Sequence, residues 1–162
     1  MWDISDFTKP RLIAHVKTGG VGVHRFDVDE RHAYISTGMD GYSGNILVNY
    51  DVKDPARPRE VSRWWLPGQH LAGGETPEGP SDVWHLHHAM RCGDELWAGC
   101  FNAGLRVIDV SDITRPRTAG AYNYHPPIGD PTHTVLRVPH KVAGREVAIA
   151  MDEAHGRHHG SI

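Results

Sequence analysis

Asp3-Ile4-Ser5-Asp6-Phe7-Thr8-Lys9-Pro10 returns as Asp51-Val52-Lys53-Asp54-Pro55-Ala56-Arg57-Pro58 and again as Asp109-Val110-Ser111-Asp112-Ile113-Thr114-Arg115-Pro116. The copies start 48 and then 58 residues apart. Each runs Asp, aliphatic, any residue, Asp, two further residues, a basic residue and Pro. A period of this length is the signature of one supersecondary unit used repeatedly.

The unit can be built outward from the copy. Ahead of the second and third copies stand Asn45-Ile46-Leu47-Val48-Asn49-Tyr50 and Gly104-Leu105-Arg106-Val107-Ile108, whose β-branched content favours strands. The second Asp starts a tight turn and accepts N–H groups that the turn leaves unpaired, and the Pro fixes φ without needing a donor. A strand follows each copy, over 12–16, 60–65 and 118–122. Between copies lie further pairs: 23–28 with 33–36, 86–91 with 96–99, and 133–138 with 146–151. Four short antiparallel strands per roughly 50 residues is the arithmetic of a propeller blade. No ten-residue stretch carries a 3.6-residue period, so helix is expected to be minor. A sandwich is the competing all-β reading, but it does not require a full four-strand repeat.

The expected fold is therefore all-β: a β-propeller section of about three blades of four antiparallel strands, forming an incomplete ring. Residues 1–22 are the outer half of a blade, 23–66 and 83–122 are full blades, and 133–155 are the inner half of another. Propellers typically have 4–8 blades. The chain is thus expected to be a fragment of a longer protein, its true N-terminus missing, or a protomer that completes a ring by assembly.

Composition narrows the partners. Lys+Arg number 17 against 20 Asp+Glu, a net charge of −3 with His neutral, which gives no basic face for nucleic acid or anionic lipid. No segment approaches the roughly 18 apolar residues of a membrane helix. Residues 1–6 lack the basic start and apolar core of a signal peptide, and cellular location is left open. Cys92 and Cys100 are too few for a disulfide framework and read as buried small hydrophobes flanking a turn at Gly93-Asp94. Histidine is the outlier, with 13 of 162 residues, so histidine is where chemistry is sought.

The copies resemble the LVIVD repeat, a bacterial propeller repeat named for its third strand, here Leu105-Arg106-Val107-Ile108-Asp109. Further matches are Gly22-Val23-His24-Arg25, Arg63-Trp64-Trp65-Leu66-Pro67-Gly68-Gln69, Leu86-His87-His88, Thr132-His133-Thr134-Val135-Leu136 and Asp152-Glu153-Ala154. The resemblance runs through most of the chain and implies the propeller fold. It implies little about function, because propellers host both enzymes and scaffolds.

Aligning the units by their first strands puts His24, His87 and His133 at one equivalent position. First strands of blades line the central channel, so the three imidazoles are expected to converge at one mouth. Neutral imidazole suits zinc, copper, iron or nickel, and three protein ligands leave a position for water or substrate. Glu153 is a further candidate, as a carboxylate ligand, a partner of a ligand or a base. A polar channel lining that bonds water is the bland alternative, and a substrate-binding or pH-sensitive role without metal is a third. His85 and His88 flank His87, with alternation sending His87 and His88 to opposite faces; Arg25 can take a carboxylate or pair with a neighbouring acid. Loops 66–82 and 123–132 are expected at the same mouth, either as lids or as tolerated insertions, with Trp65 against the first and open to ligand stacking. His155, His158 and His159 read as an exposed polar end, and His15, His32 and His70 as surface or turn residues. Two functions follow: a divalent-metal centre, extending to a metal-dependent enzyme with a small molecule or peptide at the propeller mouth, or a protein- or peptide-binding scaffold without catalysis or cofactor, whose loop face exposes an apolar patch.

Overall fold

The computed structural model describes residues 1–126 and 129–153. Its strands are β1 (Trp2–Asp3), β2 (Arg11–Leu12), β3 (Gly20–Val28), β4 (His32–Met39), β5 (Asn45–Asp51), β6 (Arg59–Trp64), β7 (His88–Cys92), β8 (Glu95–Gly99), β9 (Leu105–Asp109), β10 (Arg117–Tyr122), β11 (Thr132–Arg137) and β12 (Ala148–Asp152). Helix among the described residues is a single 3-10 turn, Leu71–Gly73. The strands form four antiparallel sheets: the pair β1-β2, the meanders β3-β4-β5-β6 and β7-β8-β9-β10, and the pair β11-β12.

The repeated octapeptide is the corner that joins β1 to β2, β5 to β6 and β9 to β10. Its first Asp accepts the N–H two residues on: Asp3 from Ser5 (2.9 Å), Asp51 from Lys53 (3.0 Å) and Asp109 from Ser111 (2.9 Å). The other oxygen takes the Arg just past the Pro, at 2.6 Å for Arg11, 3.3 Å for Arg59 and 3.2 Å for Arg117. The second Asp repeats the pattern on Thr8, Ala56 and Thr114, each at 3.0 Å. These bonds to the charged form hold all six carboxyls below their ordinary range.

Alternation along β5 divides the core. Ile46, Val48 and Tyr50 join Met39 on one face, while Leu47 joins Tyr34, Trp64, Leu86, Leu96 and Ile108 between the two meanders. Fully burying each of these leucines stabilises by roughly 1.5–3 kcal/mol. Hydrogen bonds cross the same seam: Ser36 Oγ to the Leu86 carbonyl (3.0 Å) and Trp64 Nε1 to Thr118 Oγ1 (3.0 Å). The β11-β12 pair packs through β11 on β7 and β8, and Phe101 exchanges backbone bonds of 3.0 and 3.3 Å with Thr132.

Several boundaries differ from the expected ones. The strand after the first copy ends at Leu12, because its partner β1 offers only Trp2 and Asp3. The strand expected from Leu86 starts at His88, because the Leu86 N–H bonds Asn45 in the neighbouring sheet (3.1 Å) instead of β8. The strand expected from Glu146 starts at Ala148, after a turn in which Val142 and Arg145 bond each other. Cys100 is buried, which pushes its thiol up to about 12, whereas Cys92 is only half-buried and accepts from Arg137 at 3.3 Å. Residues 154–155 of the last expected half-unit, with His155, His158 and His159, lie outside the described residues.

Candidate metal centre

Each of the three equivalent histidines sits at an interruption of its ladder. In β3 the pairing passes from Val23–Thr37 to Arg25–Ser36, leaving His24 as an extra residue. In β11 it passes from Thr132–Asp152 to Thr134–Met151, leaving His133 as an extra residue. His87 precedes β7, and its N–H donates 2.8 Å to the carbonyl of Gly99, the residue opposite His88. Such bulges re-aim side chains and gather beside functional sites.

The rings meet as a stack. His24 lies edge-on to His87 with centroids 4.8 Å apart, and His87 lies 3.9 Å from His133. Phe101 stacks on His87 at 4.8 Å and meets His85 edge-on at 4.7 Å. Phe101 holds φ 45°, in the left-handed region that a side chain disfavours by roughly 1–2 kcal/mol. Its backbone bonds to Thr132 hold it there.

Donor atoms of His87, His133 and Glu153 all lie within 4.8 Å of one another, and His133 Nε2 is 3.7 Å from Glu153 Oε2. His24 is not part of that group. The hydrogen bonds fix which nitrogens carry lone pairs. His87 Nδ1 is 2.9 Å from the His133 carbonyl, which only accepts, so Nδ1 holds the proton and Nε2 is free. A second chain begins at the Phe26 carbonyl, 3.2 Å from His88 Nε2, which therefore donates. His88 Nδ1 then accepts from Thr134 Oγ1 (3.5 Å), and that hydroxyl accepts from His133 Nδ1 (2.8 Å). His133 Nε2 is left with its lone pair facing Glu153.

Electrostatics keep the rings neutral. Burial pushes the pKa of His87 down to about 3, and the Arg25 charge, like any charge gained by His133 or His24, opposes its protonation further. His24 and His133 are also lowered, first by burial and then with help from Arg25, while Glu153 favours their protonation. Neutral imidazole is the form a metal binds.

The other expected site residues separate. His88 serves the site through Thr134, not by its own lone pair. His85 is buried with Nδ1 and Nε2 3.1 and 3.2 Å from the Leu86 and Asp82 carbonyls, and it walls the site behind Phe101. Trp65 belongs to a different cluster, 5.3 Å from Tyr42 and 5.1 Å from His70, with Nε1 donating to Glu75 in the 66–82 loop (3.2 Å). Arg25 is exposed, and no acid of the neighbouring sheet pairs with it among the described residues. Phe101 and Thr134 are site residues that the repeat alignment does not mark: Phe101 sits in a turn outside every copy, and Thr134 acts through a bond that spacing does not show. Beside Glu153, Asp152 accepts from the Tyr124 hydroxyl, which accepts from Thr132 Oγ1 (2.6 Å), so the end of β12 is tied to the 123–132 loop.

Comparison of the chain with protein-family models, with curated proteins and with solved structures finds no match.

The donor set fits a borderline cation. Zinc with bonds of about 2.0–2.2 Å places tetrahedral ligand atoms about 3.3 Å apart, so closure needs shifts on the order of 1 Å in side chains. Two imidazoles and one carboxylate leave a fourth position for water or substrate, where the cation can polarise a carbonyl or lower the pKa of water.

Proposed function

We propose that this chain is part of a propeller of the LVIVD type whose His87, His133 and Glu153 bind a divalent transition metal, as the core of a metal-dependent enzyme. The observation that carries the reading is that ligand atoms of His87, His133 and Glu153 all lie within 4.8 Å of one another, beside hydrogen bonds that put the protons of both imidazoles on Nδ1. Propeller architecture is supported by the two four-stranded meanders, by β3, β7 and β11 lying side by side, and by the repeated Asp corner. In this reading His24 lies beside the donor set, not within it. The scaffold reading needs an apolar loop face, and Leu71 is the one strongly exposed large apolar residue of the 66–82 loop, at 46 %.

Untagged protein purified without added metal, analysed for zinc, copper, iron and nickel, tests the proposal. One equivalent that disappears in His87→Ala and His133→Ala but persists in His24→Ala is the expected result. A folded protein that carries none and takes up neither added zinc nor added copper ends the metal reading and returns the loops to first place.

A further inference from the structure

We propose that Arg25 and the metal form a two-point site for a small carboxylate ligand, with one carboxylate oxygen on the open metal position and the other on the guanidinium. The inference rests on the metal reading above and names the substrate class for that site.

The first observation is direction. Arg25 pairs across the ladder with Ser36, and directly opposed residues share a face of the sheet. The Ser36 hydroxyl reaches the Leu86 carbonyl at 3.0 Å, so that face is the one turned to His87. Two residues on, Asp27 accepts the backbone N–H of Arg91 in β7 at 2.7 Å, so alternation gives the same direction. The bulge at His24 then brings two consecutive side chains, His24 and Arg25, to the side where His24 meets His87.

The second observation is that, among the described residues, this cation lacks a paired counter-charge. Among the described residues Arg25 forms no ion pair or hydrogen bond, yet its charge is felt at His24, His87 and His133. A divalent cation with Glu153 as its one anionic ligand keeps a net positive charge, and Arg25 adds to it. Nothing else in the group neutralises that sum. Arginine presents a planar fork that matches the two oxygens of a carboxylate. One fork and one open coordination position make two oxygen partners. A phosphate would turn a further oxygen towards Glu153, which is why a carboxylate is the better fit.

The test uses cobalt(II) as a coloured substitute and acetate as the probe. Wild type, Arg25→Gln and Arg25→Lys are loaded with cobalt(II), checked for fold by circular dichroism, and titrated with sodium acetate against a sodium chloride control. Acetate should change the visible cobalt spectrum of wild type. Arg25→Gln should bind acetate roughly ten- to hundredfold more weakly, the range for losing a charge-assisted hydrogen bond. Its cobalt affinity should be unchanged or tighter, since a nearby positive charge is gone, and Arg25→Lys should fall between. Equal acetate affinity in wild type and Arg25→Gln overturns the subsite while leaving the metal centre standing, as does a cobalt spectrum blind to acetate. Inorganic phosphate binding wild type as tightly as acetate overturns the carboxylate assignment. Failure to take up cobalt overturns the metal reading, and the subsite with it.

Discussion

Thr134 contributes to the site by a hydroxyl that points two ways, accepting from His133 and donating to His88. Thr134→Val keeps the shape and removes both bonds, so His133 Nε2 is no longer assured its lone pair. Partners of this kind are typically worth ten- to hundredfold in metal affinity. Competition against a chromogenic chelator should show that loss in Thr134→Val and most of the affinity in Thr134→Ser; equal affinity in all three proteins would remove the relay from the account. His87 gives a pH signature of its own. Its pKa is about 3 in the folded chain against 6.5 when exposed. Between those values the unfolded chain binds a proton that the folded chain refuses, so stability rises with pH across this window and is lost as pH falls from about 6.5 towards 3. Metal-free urea midpoints should therefore drop over that range, and drop less in His87→Gln. Parallel slopes for the two proteins would mean that burial of this ring is not the cause.

At the scale of elements, the Asp corners were legible because they are local chemistry: carboxylate, turn and Pro all lie within eight residues. The strands flanking them followed from β-branched runs, and the pairing of 23–28 with 33–36 from the turn between them. The bulges were not legible. A bulge sets two consecutive residues against one partner, as at His24 and Arg25, and strict alternation has no place for that. Nor does sequence show how closely β8 approaches β11. A β-carbon at Gly99 would lie 2.5 Å from the His133 carbonyl oxygen and 2.7 Å from its carbon, both backbone atoms. That same carbonyl accepts the proton of His87 Nδ1. Gly99→Ala should therefore do two things at once: destabilise by roughly 1–3 kcal/mol, as overpacking does, and weaken zinc binding. Gly120→Ala is the control for changing a glycine without crowding, since its added carbon meets only the Val107 side chain, at an ordinary 3.6 Å. If Gly99→Ala binds zinc like wild type, the contact between β8 and β11 does not set the position of His133.

At the scale of the molecule, the four sheets are unequal. The two meanders share a core, whereas two-stranded sheets are marginal alone. In and around the β1-β2 pair, Trp2, Phe7 and Leu12 are exposed at 60, 83 and 58 %. The β11-β12 pair differs because its inner strand lies on β7 and β8 and carries fully buried Val135. It also carries His133 and runs directly into Glu153, so two of the three proposed ligands come from this pair and the residue after it, and one from just ahead of the neighbouring meander. A bound metal would then act as a clamp between sheets. Any ligand held only by the folded state stabilises it, by about 2.7 kcal/mol at a hundred times Kd. For a chain of this size that is a rise in Tm of roughly 5–10 °C. The location of the gain separates a clamp from a general effect. Amide exchange with saturating zinc should slow in β11 and β12 and at residues 99–101, stay unchanged in β1 and β2, and return to its starting rate with chelator. Uniform slowing over all sheets would point to stabilisation of the whole fold from elsewhere. No slowing at β11, with zinc bound, would mean that the cation sits on other ligands.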